Sequence, residues 1–167
     1  TEKGIHFGSA SGRQYDNQRF VFDNIKDEIS YIAENGALCI HQGKVISRAS
    51  IDDSLAARII AEIKREKHFE IVASREDACF IEDNDPAFVN HIVNVMHNTT
   101  RIVDDISKIE GPFLKIAIGN MSDGPHIVDK YLKHLQDMFS NEINVVTSGN
   151  IWIDFITPGA NKGTALE

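Results

Sequence analysis

The chain has 167 residues and a formal net charge of −8, with 17 Lys and Arg against 25 Asp and Glu, and 42% of its residues are hydrophobic. This balance predicts a soluble globular protein of one ordinary domain, or one and a half small ones. It excludes a nucleic-acid binder built on a basic stripe, and no apolar run is long enough to span a bilayer as a helix. The cysteines, Cys39 and Cys79, both lie in apolar strand-like runs, which predicts buried free thiols in a reducing, cytoplasmic setting.

Glu2-Lys3-Gly4 reads as a helix tail, with Gly4 in the left-handed region just past it. Residues 5–9 read as a short buried strand, the stretch after Arg13 as an irregular helix, and residues 29–33 as a second short strand. Glu34-Asn35-Gly36 is a turn. Residues 37–41 and 44–47 then form a hairpin around Gln42-Gly43. Ser50-Ile51-Asp52-Asp53 predicts a helix start, as a variant of the capping box. The helix behind it carries Ile51, Leu55, Ala56, Ile59, Ile60 and Ile63 as one buried stripe. Lys64-Arg65-Glu66-Lys67 at its end complements the helix dipole.

Residues 69–73 and 78–81 are strand-like. Asp85-Pro86 opens another helix, with Pro at the first helical position and Phe88, Val89, Ile92, Val93 and Met96 on its buried face. Residues 98–111 are polar and carry no readable element, and Asp104-Asp105 reads as a solvated loop or helix start. Leu114, Ile116 and Ile118 alternate, which predicts a strand. Gly124-Pro125 opens a third helix bearing Ile127, Val128, Tyr131, Leu132, Leu135 and Met138. Residues 143–147 and 151–156 form a strand pair joined by Ser148-Gly149-Asn150. Trp152 and Phe155 fall on opposite faces, and core packing explains both. The fold class is α/β, an open sheet covered by helices, with the two ends of the chain belonging to another layer.

Two motifs at opposite ends suit a phosphate. Ser9-Ala10-Ser11-Gly12-Arg13, after Gly4-Ile5-His6-Phe7-Gly8, offers a hydroxyl and backbone N–H groups where a strand turns into a helix. Pro158-Gly159-Ala160-Asn161-Lys162-Gly163-Thr164-Ala165-Leu166 offers an ammonium at a helix start. Taken singly, each has a plain structural explanation: a Ser-Gly turn, or a solvated lysine. The histidines, His6, His41, His68, His91, His97, His126 and His134, are scattered. His91 and His97 point away from each other on a helix, so no metal site is read among them.

In order along the chain, these two motifs and the Ile32-Ala33-Glu34-Asn35-Gly36-Ala37 segment between them resemble the haloacid dehalogenase-like superfamily of phosphohydrolases, in its Cof-type branch. That branch reads Gly, an apolar run and [Ser/Thr]-Gly-Arg, then Glu-Asn-Gly-Ala, a long insert and Lys-Gly-x-Ala-Leu. The resemblance implies a cap domain over residues 37–148, an open α/β sandwich with a mixed, largely antiparallel sheet. Residues 1–36 and 149–167 would be remnants of a Rossmann-like core. It implies that Ser11 hydrogen-bonds the phosphoryl group and that Lys162 neutralises its charge, as the catalytic residues of this chain. Gly12, Arg13, Asn35, Gly36 and Gly163 would bind phosphate or substrate. It implies an aspartyl-phosphate route, Mg²⁺ in the intact protein, and a small phosphorylated metabolite, either a sugar phosphate or a nucleotide or cofactor phosphate.

The family's Asp-x-Asp-Gly-Thr, which supplies nucleophile and general acid, and its metal-binding Gly-Asp-x-x-Asn-Asp do not occur in the sequence. Asp83-Asn84-Asp85 is the nearest imitation, and before Pro86 it reads as a helix cap. The expectation is an excised piece holding the cap and two core stubs, without metal ligands of its own and without turnover by itself. The alternative is a stand-alone α/β module that binds a small ligand or a partner. Neither nucleic acid nor membrane is expected as a partner, and no motif specifies an oligomeric state.

Overall fold

The computed structural model describes residues 4–166, and its strands form two separate sheets. The first runs in the order β1 (Gly8–Ala10), β2 (Ser30–Ala33), β3 (Leu38–His41) and β4 (Lys44–Arg48). Strands β1 and β2 are parallel and therefore need a crossover, which contains α1 (Tyr15–Val21) and a 3₁₀ turn at Asp23–Ile25. The remaining pairs are antiparallel. The opening strand is shorter than expected and shifted to later residues. Only Gly8–Ala10 lie alongside β2, and Ile5 and Phe7 are exposed. The expected helix tail at Glu2-Lys3 lies outside the described residues, while Gly4 takes a φ of 65°.

The second sheet has the order β7-β6-β5-β8-β10-β9. Its strands are β5 (Glu70–Ser74), β6 (Cys79–Ile81), β7 (Thr100–Ile102), β8 (Lys115–Gly119), β9 (Asn144–Ser148) and β10 (Trp152–Ile156). All pairs are antiparallel except β6–β7. This is the mixed, largely antiparallel α/β sheet that the sequence predicts. Strand β7 was not legible because Thr100-Arg101-Ile102 has no buried face: it is a short, largely exposed edge.

Helix α2 (Asp53–Glu66) and helix α4 (Gly124–Phe139) cover one face of this sheet. Ile59 and Ile63 of α2 and Leu135 and Phe139 of α4 pack on Ile116, Ile118, Ile153 and Phe155. Each such side chain contributes about 1.5–3 kcal/mol on burial. The cap of α2 is Asp52 rather than Ser50. Its carboxylate accepts from the N–H groups of Ser54 (3.0 Å) and Leu55 (3.1 Å), while Ile51 is held extended by a bridge to Phe113. On the opposite face, α3 (Pro86–Asn90) starts at Asp85 as expected and runs into a π-helical turn, His91–Val95. Phe88 and Ile92 pack on Val72, Cys79, Ile81 and Ala117. The two thiols are free and buried.

The sheets divide the chain elsewhere than at residues 36/37 and 148/149. Hairpin β3–β4 joins the first sheet because Leu38 and Ile40 complete an apolar cluster with Tyr31, Ala33, Leu114 and Ile156. Strand β10 joins the second because Ile153 and Phe155 face its helices. No helix among the described residues is long and apolar enough to cross a membrane.

Candidate functional site

A cleft of about 350 Å³ opens between the loops of the first sheet and the part of the second sheet that α3 leaves uncovered. Its floor is Val72, Lys115, Ala117, Trp152 and Asp154, all of one side-chain phase across β5, β8 and β10. Ile92, Met96 and Asn98 form one wall. Ser11, Gly12, Arg13 and Glu34 close it from the first sheet.

The Ser11–Arg13 loop leaves β1 and turns toward α1. Ser11 N–H donates to Ile32 O at 2.9 Å and Arg13 N–H to Ser11 Oγ at 3.2 Å. Beside it lies a turn with three successive positive φ angles: Glu34 (48°), Asn35 (61°) and Gly36 (105°). Two non-glycine residues in that region are strained, and such strain persists only where the surroundings over-determine it. Here Glu34 N–H donates to Arg13 O and Asn35 N–H to Ser11 O, both at 3.1 Å. Close approach favours glycine at Gly12 and requires it at Gly36. A Cβ on Gly12 would sit 2.5 Å from Asn35 Oδ1, and one on Gly36 would sit 2.5 Å from the Asn161 carbonyl.

The turn therefore touches both ends of the chain. Asn161 Oδ1 accepts from the N–H groups of Gly163 (2.9 Å) and Thr164 (3.0 Å) and caps a 3₁₀ turn, Thr164–Leu166. This is the expected helix start. Ser11, Gly12, Arg13, Asn35 and Gly36 meet in one place, with the Asn161 backbone against Gly36. The Lys162 side chain is exposed and is not part of the cleft wall, and Gly163 is likewise on the solvent side. Arg13 reaches along α1 to Asn17, donating from Nη1 to Oδ1 at 2.9 Å.

The strongest charges of the cleft were not legible as site residues. Lys115 is buried, with Nζ 2.7 Å from Glu34 Oε2, and it donates to Gly12 O at 2.6 Å. Burial opposes its charge, but the carboxylates of Glu34 and Asp154 outweigh that and raise its pKa. Asp154 Oδ2 accepts from Asn35 Nδ2 at 2.9 Å. Lys115 and Asp154 interrupt apolar runs, and a strand alternation assigns them to solvent. The available signal was that Ala117 and Gly119 share the phase of Lys115, so that face is not an open polar one. Trp152 does pack in the core, over Gly119 and near Phe88, but it also lines the cleft.

The cleft's carboxylates do not fit a Mg²⁺ site of this chain's own. Glu34 is taken by Lys115, and Asp154 is held by Asn35. Among the described residues, Glu62, Glu66 and His134 bring ligand atoms within 4.8 Å of one another. They stand on α2 and α4, across the sheet from the cleft, and Glu62 is already paired with Arg65.

The family profile described as haloacid dehalogenase-like hydrolase matches residues 1–167. The chain belongs to that family. It is 26% identical, over 165 residues, to the 5-amino-6-(5-phospho-D-ribitylamino)uracil phosphatase YbjI of Escherichia coli, an alignment covering 99% of this chain and 60% of that protein. Among solved structures, SMU.1108c from Streptococcus mutans UA159 superposes with a TM-score of 0.85 at 23% identity, covering 99% of this chain and 62% of that one. A HAD/COF-like hydrolase from Plasmodium vivax gives a TM-score of 0.84 at 16% identity, with coverage of 99% and 60%. The chain thus spans about three fifths of the length of these haloacid dehalogenase-like relatives. The Ser11-Gly12-Arg13 loop and the Asn161 backbone meet at the Asn35–Gly36 turn.

Proposed function

We propose that this chain is the substrate-selecting part of a phosphatase acting on a small phosphorylated metabolite, a sugar phosphate or a nucleotide or cofactor phosphate. The observation that carries the reading is the shared turn: Gly12 packs on Asn35 and Gly36 on Asn161, so one turn beside the cleft joins the two end motifs. The cleft's size, about 350 Å³, suits such a ligand. The E. coli relative's phosphoribityl substrate supports the class. Ser11 donates its hydroxyl proton to a phosphoryl oxygen, held in place by the Arg13 N–H that donates to its Oγ at 3.2 Å, and the Arg13 side chain lies beside the loop. Lys162, on the exposed turn beside Gly36, neutralises charge there, and Gly12, Asn35, Gly36 and Gly163 let the backbones approach. Charge spreads over the equatorial oxygens in phosphoryl transfer, and fixed donors at those oxygens lower the barrier.

The cap corresponds to the second sheet with α2, α3 and α4. The core contribution is the first sheet, including hairpin β3–β4, together with residues 157–166. The nucleophile lies outside these residues. An Asp carboxylate attacks phosphorus, the alcohol leaves with a proton from a second Asp, and water then cleaves the aspartyl phosphate. The ligands for Mg²⁺ belong to the same outside segments.

Titrating the ¹⁵N-labelled chain with inorganic phosphate is expected to shift the amide signals of Ser11, Gly12 and Arg13. The chain alone is expected to release no phosphate from p-nitrophenyl phosphate with Mg²⁺. In a polypeptide extended to carry both missing motifs, Lys162→Met is expected to lower kcat/KM about 100-fold or more. A loss of less than about threefold would remove Lys162 from the site.

A further inference from the structure

Three carbonyls leave the Ser11-Gly12-Arg13 loop, and each is held from outside it. Ser11 O accepts from Asn35 N–H at 3.1 Å. Arg13 O accepts from Glu34 N–H at 3.1 Å and from Gln18 Nε2 at 3.2 Å. Gly12 O accepts from Lys115 Nζ at 2.6 Å. The first two sets of donors come from α1 and from the turn after β2, in the loop's own layer. Lys115 is the first residue of β8 and belongs to the other sheet.

The direction of that contact matters. The Gly12–Arg13 peptide is trans and planar, so its C=O and N–H point in opposite directions. A carbonyl held on Lys115 aims the Arg13 N–H away from the lysine, and there it meets Ser11 Oγ at 3.2 Å. Gly12 gains from such a restraint because no Cβ limits its own φ and ψ. Glu34, 2.7 Å from Lys115 Nζ and almost fully buried, makes a charged lysine tolerable at this depth.

We propose that Lys115 is a positioning residue of the anion site: it fixes the Gly12 carbonyl so that the Arg13 N–H stays on Ser11 Oγ and leaves the Ser11 hydroxyl proton for a bound phosphoryl group. Anion affinity in the first sheet's loop then depends on the second sheet being docked against it. This rests on the phosphate reading of the Ser11 loop, and the experiment separates the two.

Lys115→Met alone leaves the Glu34 carboxylate buried without a partner and is prone to unfold. The informative variant is therefore Lys115→Met/Glu34→Gln, which removes both charges of the pair. Glu34→Gln alone keeps the lysine and serves as the reference. Inorganic phosphate is titrated into each ¹⁵N-labelled chain while the Ser11, Gly12 and Arg13 amides and the melting temperature are followed. The double variant is expected to stay folded and to bind phosphate about tenfold more weakly than Glu34→Gln, the factor that goes with losing one charge-assisted contact. Its Arg13 amide signal is expected to move even without phosphate. Equal affinity in the double variant and the reference would reduce Lys115 to a structural role, leaving the phosphate reading intact. No shift at Ser11–Arg13 in the unsubstituted chain would overturn the phosphate reading and this proposal together.

Discussion

The two faces of the second sheet are built from the same strands and do different work. On β8 and β10, Ile116, Ile118, Ile153 and Phe155 face α2 and α4 and are completely buried. The alternate residues, Lys115, Ala117, Trp152 and Asp154, face the cleft. The helix face is dry and apolar, so its contribution scales with buried area and tolerates any residue of fitting volume. The cleft face depends on direction: an ammonium on one carbonyl, a carboxamide on one carboxylate. Stability and chemistry are thus separated by the pleat of a strand, one residue apart.

Substitutions can sharpen or break that separation. Phe155→Ala removes a ring that meets Phe139 edge-on at 5.8 Å, and should cost about 3–5 kcal/mol in urea unfolding. Where the variant stays folded, its phosphate-induced shifts at Ser11–Arg13 should match those of the parent chain. Altered shifts would mean that the two faces are coupled. Gly36→Ala strikes the other region. It forces a side chain at φ 105° and into the Asn161 backbone, so a loss of about 1–3 kcal/mol is expected, together with phosphate binding. Normal binding in this variant would detach the Asn35–Gly36 turn from the anion site. Asp52→Ala removes the α2 cap, which does not line the cleft, and should cost about 1 kcal/mol with phosphate affinity unchanged.

The smallest effect concerns an exposed counterpart of the Lys115 pair. Lys64 donates to Asp105 at 2.8 Å and to Glu82 at 2.7 Å. Lys64 and the Ser107 hydroxyl and N–H hold the Asp105 carboxyl well below its ordinary range. Burial pushes Glu82 up, but Lys64, the Ile106 N–H and Asn84 outweigh it and bring it down. Folded-state values below the unfolded ones mean that this contribution is complete above about pH 4 and fades as acid titrates the folded carboxylates. Lys64→Met should therefore flatten the fall in urea midpoint between about pH 4 and pH 2 and leave phosphate binding at neutral pH untouched. An unchanged acid limb would show that solvent screens the cluster completely.

The helix-covered face was legible because it repeats. Ile59 and Ile63 recur at helical spacing, Ile116 and Ile118 at strand spacing, and Asp85-Pro86 marks a start by local chemistry alone. The glycine-rich parts of the site were legible too, since Gly12 and Gly36 sit in short ordered motifs. What escaped was whatever depends on a distant partner. Lys115 and Asp154 obey the alternation of an ordinary strand, and only the first sheet lying above them turns that phase into a cleft floor. The layer that hairpin β3–β4 joins was not legible for the same reason. Its own pattern defines a hairpin but not which sheet it extends, and that was decided by Leu38 and Ile40 packing with Leu114 and Ile156.

The amino-acid sequence alone determined the helices, most strands and the two glycine-bearing turns at Ser11–Arg13 and Asn161–Gly163, because propensity, capping and periodicity act within a few residues of the chain. Tertiary structure alone decided that Ser11, Asn35 and Asn161 share one turn, and that Lys115 donates to the loop beneath which it lies. Such contacts join residues about a hundred positions apart, as Gly12 and Lys115 are. They form only when two sheets are packed, and no local energy term records them.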